Sequence, residues 1–179
     1  MRLALLLVAL SAPPAAAENE QALSLGLGYA SFSAPGEAKM NMAPPSVSPT
    51  WGTGLFGSYE RMIGSDLGFR AEAGANLFYG GNTDKQSTVS YNFLGDVGLV
   101  FRFDILKYVP YAFAGVGGVY STGGPIDRGG DWVLQVGGGL DYLASRKRAY
   151  GIELRLASFA GDVTTATIGF RATHRWGFF

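Results

Sequence analysis

Residues 67–79 read LGFRAEAGANLFY, and two faces separate at once when alternate positions are taken. One parity holds Leu67, Phe69, Ala71, Ala73, Ala75, Leu77 and Tyr79; the other holds Gly68, Arg70, Glu72, Gly74, Asn76 and Phe78. A period of two is that of a β-strand, whose successive side chains point to opposite sides of the sheet. The strand therefore has one apolar face and one face built of glycine, charge and amide.

The same alternation recurs on both sides of this stretch. N-terminal to it, Leu23, Leu25, Leu27 and Tyr29 alternate with Ser24, Gly26, Gly28 and Ala30, and Trp51, Thr53, Leu55, Gly57 and Tyr59 alternate with Gly52, Gly54, Phe56, Ser58 and Glu60. C-terminal to it, Val89, Tyr91, Phe93, Val97, Leu99, Phe101 and Phe103 oppose Ser90, Asn92, Asp96, Gly98 and Arg102. A fifth segment starts at Tyr108-Val-Pro-Tyr111 and runs to Tyr120. The sixth sets Trp132, Leu134, Val136, Leu140 and Tyr142 against Gln135, Gly137, Gly139 and Asp141, and the seventh sets Tyr150, Ile152, Leu154 and Leu156 against Gly151, Glu153 and Arg155. The last segment, ATIGFRATHRWGFF (166–179), carries Ile168, Phe170, Ala172, His174, Trp176 and Phe178 on one parity and Arg171, Thr173 and Arg175 on the other. About eight strands result, each close to or above the ~9–11 residues that cross a bilayer at a tilt. The connections at 62–66, 104–107 and 143–149 are short, whereas those at 33–48, 80–87 and 121–131 are richer in Gly, Pro, Asn and Ser. Short turns on one side and longer loops on the other suit a meander through a membrane with the short turns in the periplasm, although the connection at 159–163 is brief for an outer loop.

Composition narrows the classes. The 179-residue chain suits one domain, and its 27 Gly, 9 Tyr, 12 Phe and 3 Trp against only 16% charged residues favour strands, turns and aromatic belts over helices. A formal net charge of zero and the lack of a dense Lys/Arg run argue against nucleic-acid binding. With no Cys there is no disulfide, thiol chemistry or Cys-based zinc site. Met1-Arg2, the apolar run Leu3–Leu10 and the Ala15-Ala16-Ala17 site form the n-, h- and c-regions of a signal peptide, too short to span a bilayer. Residues 1–17 are therefore expected to be cleaved on export, leaving 18–179 as the mature barrel domain.

A soluble barrel places its apolar parity inside; a membrane barrel reverses this, because the closed sheet satisfies every backbone group and lipid wets the outside. Residue size favours the second. The polar parity is lined by small residues such as Gly26, Gly28, Gly54, Gly74, Gly98, Gly118, Gly137, Gly139, Gly151 and Gly169, which suit a narrow interior. The apolar parity gathers aromatics at its ends: Tyr29, Trp51, Tyr79, Tyr91 and Trp132 toward one rim, and Tyr59, Phe103, Tyr111, Tyr142, Tyr150, Trp176 and Phe178 toward the other. Two such girdles mark a lipid-facing surface. The expected fold is all-β, an eight-stranded antiparallel up-and-down transmembrane β-barrel.

Three stretches stand out across the mature chain: Val109-Pro-Tyr111 followed by Ala114-Gly-Val-Gly-Gly118, Gly137-Gly-Gly-Leu-Asp-Tyr142, and the aromatic C-terminal strand. In these the chain resembles the small eight-stranded outer-membrane β-barrel family, the OmpA/OmpX-like barrels of Gram-negative bacteria. The resemblance implies a location in the outer membrane, contact with membrane lipid and lipopolysaccharide, and recognition of the terminal strand by the barrel-assembly machinery. Here Phe178 holds the lipid-facing place and Phe179 lies one residue beyond. Family members include adhesins, defence proteins and narrow channels, so the fold alone does not specify activity.

Ten charges fall on the inward parity: Glu60, Arg70, Glu72, Asp96, Arg102, Asp141, Glu153, Arg155, Arg171 and Arg175. Charges withdrawn from water must be paired, so a lumenal salt-bridge network is expected. An eight-stranded interior is just filled by side chains, which makes the network a plug before it is a pore. Lipid A-editing barrels use a rim His with a Ser and a carboxylate, since a hydroxyl needs an adjacent base. The single histidine, His174, instead falls on the lipid-facing parity near the periplasmic rim, and no Arg-His-x-Ser-Asn stretch occurs. Gly115-Val-Gly-Gly118 lies within a strand and opens no helix, so it is no phosphate loop, and Met40-Asn-Met42 lacks a His or Cys to make a soft-metal site. The expected function is structural or surface-interaction, without catalytic, cofactor or metal site and as a monomer; the alternatives are a narrow channel for ions or small solutes and, behind it, a lipid A-modifying enzyme.

Overall fold

The computed structural model describes residues 20–36, 45–81, 89–103 and 107–177. Nine strands follow in chain order: β1 (Gln21–Pro35), β2 (Ser46–Val47), β3 (Trp51–Met62), β4 (Leu67–Tyr79), β5 (Val89–Arg102), β6 (Tyr108–Thr122), β7 (Gly129–Ser145), β8 (Arg148–Phe159) and β9 (Val163–Trp176). β2 is a two-residue arm on the projecting end of β1, where Ala34 faces Val47 and Pro35 faces Ser46. The other eight form a closed antiparallel barrel. Each pairs with its neighbour in sequence, and β1 closes on β9 from Gln21 opposite Trp176 to Ser33 opposite Thr164.

Closure decides which solvent each face meets. No strand edge is left within the barrel, so its backbone groups can be taken into hydrocarbon at no hydrogen-bond cost. The outward parity is then free to be apolar: Leu25, Leu27, Phe69, Phe93, Val97, Leu134, Ile168 and Phe170 all stand exposed on the barrel surface. The expected all-β transmembrane barrel is the fold observed.

Turns differ at the two ends. At one end β3 and β4 are joined by residues 63–66 and β7 and β8 by Arg146-Lys147 alone, with Ser145 Oγ accepting hydrogen bonds from the backbone N–H groups of Lys147 (3.3 Å) and Arg148 (3.1 Å). β7 and β8 thus run further into this connection than the alternation indicated, past a register shift between Leu143 and Ser145. At the other end the β6–β7 loop holds a 3-10 turn, Gly124–Ile126, whose Ile126 folds into the barrel mouth. The β8–β9 connection is a tight turn in which Ala160 (φ 54°) and Gly161 (φ 73°) both take left-handed backbone, the conformation that costs an alanine and not a glycine.

The lipid-face assignment predicts the response to charge. Ala73→Arg or Leu99→Arg, central on the outward face, should each cost roughly 2–4 kcal/mol, whereas Ser31→Arg near the loop end should cost under about 1 kcal/mol. Reversible unfolding from lipid vesicles measures the difference, and equal tolerance at the three positions contradicts a membrane-facing surface.

Candidate functional site in the barrel lumen

The inward parity is layered along the barrel axis. Nearest the short turns lie the charges. Arg171 from β9 reaches across to Asp141 on β7 with two hydrogen bonds, Nε to Oδ1 at 2.9 Å and Nη2 to Oδ2 at 2.6 Å, and its Nη1 donates to Glu153 at 2.9 Å and Glu60 at 3.3 Å. Arg70 on β4 donates to Glu72 at 2.5 Å, Glu153 at 3.0 Å and Glu60 at 3.2 Å. Arg155 binds Glu153 at 2.5 Å and also Glu72, which accepts a further bond from Gln135 at 3.0 Å. Below these, Arg102 bridges Glu60 and Glu20, and Arg175 donates to Glu20 at 2.6 Å. Glu60, Glu72 and Glu153 therefore each serve two or more guanidiniums from different strands.

Geometry of this kind is what a buried charge requires. An arginine offers five donors in a planar fork, and a carboxylate has about four acceptor sites, so several-fold contacts can replace the water that each group gives up. The guanidinium planes find further partners in inward aromatics: Arg155 lies 3.3 Å from the ring centre of Phe56, Arg70 3.7 Å from that of Phe113, and Arg171 4.0 Å from that of Tyr111. Tyr111 also donates its hydroxyl hydrogen to Glu153 at 2.7 Å.

These rings fit because glycine stands across from each. Phe56 faces Gly26, Phe113 faces Gly137 and Tyr111 faces Gly139 on the neighbouring strands. A Cβ at Gly26, Gly137 or Gly139 would collide with the facing ring. Gly26, Gly137 and Gly139 are thus the seats of three inward aromatics.

Above the charges comes a polar layer. Asn76 donates to Asn92 at 2.8 Å and accepts from Thr167 at 3.4 Å, with Ser90, Ser121 and Thr165 buried beside them. Toward the longer loops the inward face turns apolar: Ala30, Phe32, Phe78, Leu94, Val119, Ile126, Val133, Phe159 and Val163 form one buried cluster, in which Phe32 and Phe78 meet edge-to-face at 5.1 Å. Several inward polar atoms have no hydrogen-bond partner among the described residues: Ser58 Oγ, Ser90 Oγ, Asn92 Nδ2, Asp96 Oδ2, Ser121 Oγ and Gln135 Oε1. Asp96 thus sits inside and beside Glu72 in register, yet it joins none of the arginine bridges.

Sequence and structure differ at identifiable residues. Tyr111 was expected on the lipid-facing girdle but is inward and 4% exposed; Tyr108 takes the outward place. The two tyrosines are three residues apart and cannot share a face of a strand, and the Gly139 seat with the Glu153 acceptor gives Tyr111 a polar berth inside. Gly118, counted with the inward parity, faces outward for the same reason of register. Tyr29, Trp51, Tyr79, Tyr91 and Trp132 at the loop end, and Tyr59, Phe103, Tyr142 and Tyr150 at the turn end, are exposed on the outer surface. Trp176 is half-buried there, packed 6.4 Å from Tyr59 and 5.8 Å from His174. Phe178 and the Met40–Met42 stretch lie outside the described residues. Glu20, which precedes the alternation, was not anticipated in the charge layer, nor were Phe56 and Phe113 as its stacking partners. Phe56 shares the inward parity of Ser58 and Glu60, whereas Phe113 shares the parity of Tyr111 and is inward for the same reason of register; the facing glycine of each is identifiable only once register is known.

His174 is on the outward face between Leu23 on β1 and Arg148 on β8, so neither register neighbour offers it a hydroxyl or a carboxylate. Among the described residues no group of three or more His, Cys, Asp or Glu is arranged to hold a metal ion.

An aromatic-girdled closed barrel with a charged interior is the architecture of a small outer-membrane protein. Residues 3–175 match the outer membrane protein beta-barrel domain family, and the chain belongs to it. No curated protein matches the chain. Among solved structures, Ail, the attachment invasion locus protein of Yersinia pestis, aligns at a TM-score of 0.61 with 16% identity over 89% of this chain and 99% of its own. Neisserial surface protein A aligns at 0.63 with 14% identity over 87% of this chain and 97% of its own. The outer membrane enzyme PagL aligns at 0.50 with 13% identity over 86% of this chain and 98% of its own. At these identities the likeness is one of fold, and it spans proteins named for attachment, for the cell surface and for catalysis. The protein is placed in the outer membrane by its family.

The charge layer predicts unequal costs for removing arginines. Arg171→Ala leaves Asp141, Glu153 and Glu60 short of a buried partner and should destabilise the barrel by about 3–5 kcal/mol. Arg128→Ala, which removes a half-exposed 3.5 Å pair with Asp162 at the loop end, should cost less than about 1 kcal/mol. Urea unfolding in lipid measures both; similar costs would contradict the paired lumen.

Proposed function

We propose that this protein is a small outer-membrane barrel of structural or surface-contact type whose own side chains close its lumen. The observation that carries this reading is the sequence of inward layers: arginine–carboxylate bridges joining opposite walls, a polar amide and hydroxyl layer, and an apolar cluster at the mouth. An ion entering from the loop end would first have to shed its water against Phe32, Phe78 and Ile126, then part charge pairs that have no bulk water to replace them. The work of such a protein lies on its outer surface, in lipid and lipopolysaccharide contact around the girdles and in partner contact at the loops, and it acts as a monomer without catalysis or cofactor.

Export precedes this. The N-terminal leader directs the chain to the periplasm, is cleaved after Ala17, and leaves the aromatic C-terminal strand to be read by the assembly machinery. The mature protein recovered from the outer membrane should therefore have the intact mass of residues 18–179; a mass that includes residues 1–17 would contradict cleavage.

A second reading, a narrow channel, draws on the unpartnered inward atoms at Ser58, Ser90, Asn92, Ser121, Asp96 and Gln135, which would suit a file of water. Planar-bilayer recordings separate the two. The wild type should show no steady conductance, and neither Arg155→Ala nor Arg171→Ala should open one while the apolar mouth is intact. Steady wild-type openings would overturn the closed lumen.

A further inference from the structure

Among the described residues, the exposed charges are distributed unequally between the two ends of the barrel. At the short-turn end the exposed charged residues among those described are Arg61, Lys107, Arg146, Lys147 and Arg148 against Asp66 alone. At the loop end they are Asp127 and Asp162, with Asp131 half-buried, against Arg128, which pairs with Asp162.

The basic residues lie along an arc: Lys107, Arg146, Lys147 and Arg148 stand together at the β6, β7 and β8 ends, and Arg61 follows on β3, beyond β9 and β1. Lys107 is tied to β7 by the hydrogen bond from Leu143 N–H to its carbonyl at 2.8 Å, next to the two-residue turn that carries Arg146 and Lys147. Lys147 in turn accepts from Arg175 N–H at 2.9 Å, joining the turn to β9, and Arg148 lies across from His174. His174 stacks on Trp176, Trp176 faces Gln21, and Gln21 faces Arg61 on β3. Asp66 lies beyond the end of this arc, in the β3–β4 turn. Glu20, the carboxylate closest to the arc from inside, is already held by Arg102 and Arg175.

Depth identifies what the arc faces. Arg148 shares the outward parity with Tyr150, and Arg61 shares it with Tyr59, each two residues further toward the barrel end than its girdle tyrosine. Interfacial tyrosines sit at headgroup level, so basic side chains immediately beyond them lie among lipid phosphates. We propose that this rim is a binding surface for the anionic headgroups of phospholipids in the periplasmic leaflet. The occupant follows from complementarity: an arc at headgroup depth in which exposed cations outnumber exposed carboxylates among the described residues attracts phosphate diesters that carry net negative charge and gains little from zwitterionic ones. This rests on the outer-membrane placement and on the short turns facing the periplasm, and not on a closed lumen: a conducting wild type would overturn the plug and leave this surface as it is.

Native mass spectrometry of the full-length protein, released from micelles containing equal amounts of phosphatidylglycerol and phosphatidylcholine, tests it. The wild type should retain phosphatidylglycerol in preference. Lys147→Gln, at a turn tip, should weaken that preference by about fivefold, and the triple variant Lys107→Gln, Lys147→Gln, Arg148→Gln should abolish it, on the order of fivefold per basic side chain at low salt. Asp127→Asn at the opposite end should leave it unchanged. Equal retention of the two lipids by the wild type, a preference unaffected by Lys147→Gln, or displacement of phosphatidylglycerol by lipid A in competition would each overturn the proposal.

Discussion

Every other feature of the molecule depends on the hydrogen bonding of β1 to β9. With Gln21 against Trp176 and Ser33 against Thr164, the sheet has no free edge in its barrel, and only such a sheet can be placed in hydrocarbon without stranding polar backbone groups. Closure also fixes what each side chain meets. A period-two strand in a narrow closed barrel offers lipid on one side and a lumen about as wide as its side chains on the other. Leu, Val, Phe and Ala can therefore dominate the outer face, while anything charged on the other parity must find its counterpart from across the barrel.

That demand shapes the interior. Arg70, Arg155 and Arg171 come from β4, β8 and β9, yet Glu153 accepts from all three. Such a node links distant walls, so the loss of one arginine is felt by several carboxylates, unlike the removal of a solvated surface pair. Aromatic rings complete the environment of the guanidiniums, and the glycines opposite them are the condition for those rings to lie flat against the barrel wall. The same bookkeeping explains why the layer stays near the turn end. Toward the loops the inward face carries phenylalanine and branched aliphatics, where a charge would lack any partner.

Much of this was legible in the chain, because alternation is a local property. The run Leu67–Tyr79 alone separates lipid-facing from lumen-facing residues, and all ten inward charges read from parity are buried on the lumenal side. Where the reading failed, a second variable was involved. Tyr111 was placed by its aromatic character near a strand end, whereas its register with Tyr108 sends it inside. Phe78 and Phe32 share the inward parity with polar residues, but their assembly into an apolar mouth depends on which strands meet and on Ile126, which arrives from a loop. Glu20 precedes the first alternating pair, and only the position of Arg102 and Arg175 around the closed barrel brings it into the charge layer. In each case the missing information was cross-strand, set by register and closure.

The central proposal is that side chains on the inward parity close the lumen to bulk water. Since the chain contains no cysteine, single reporters can be introduced without a background. Ala157→Cys, inward beside the apolar cluster, and Asp162→Cys, exposed on the adjoining turn, should be compared for reaction with a charged, membrane-impermeant thiosulfonate in lipid vesicles. A filled lumen predicts rapid modification at 162 and protection at 157, while comparable modification at both positions would show water reaching the interior and contradict the account.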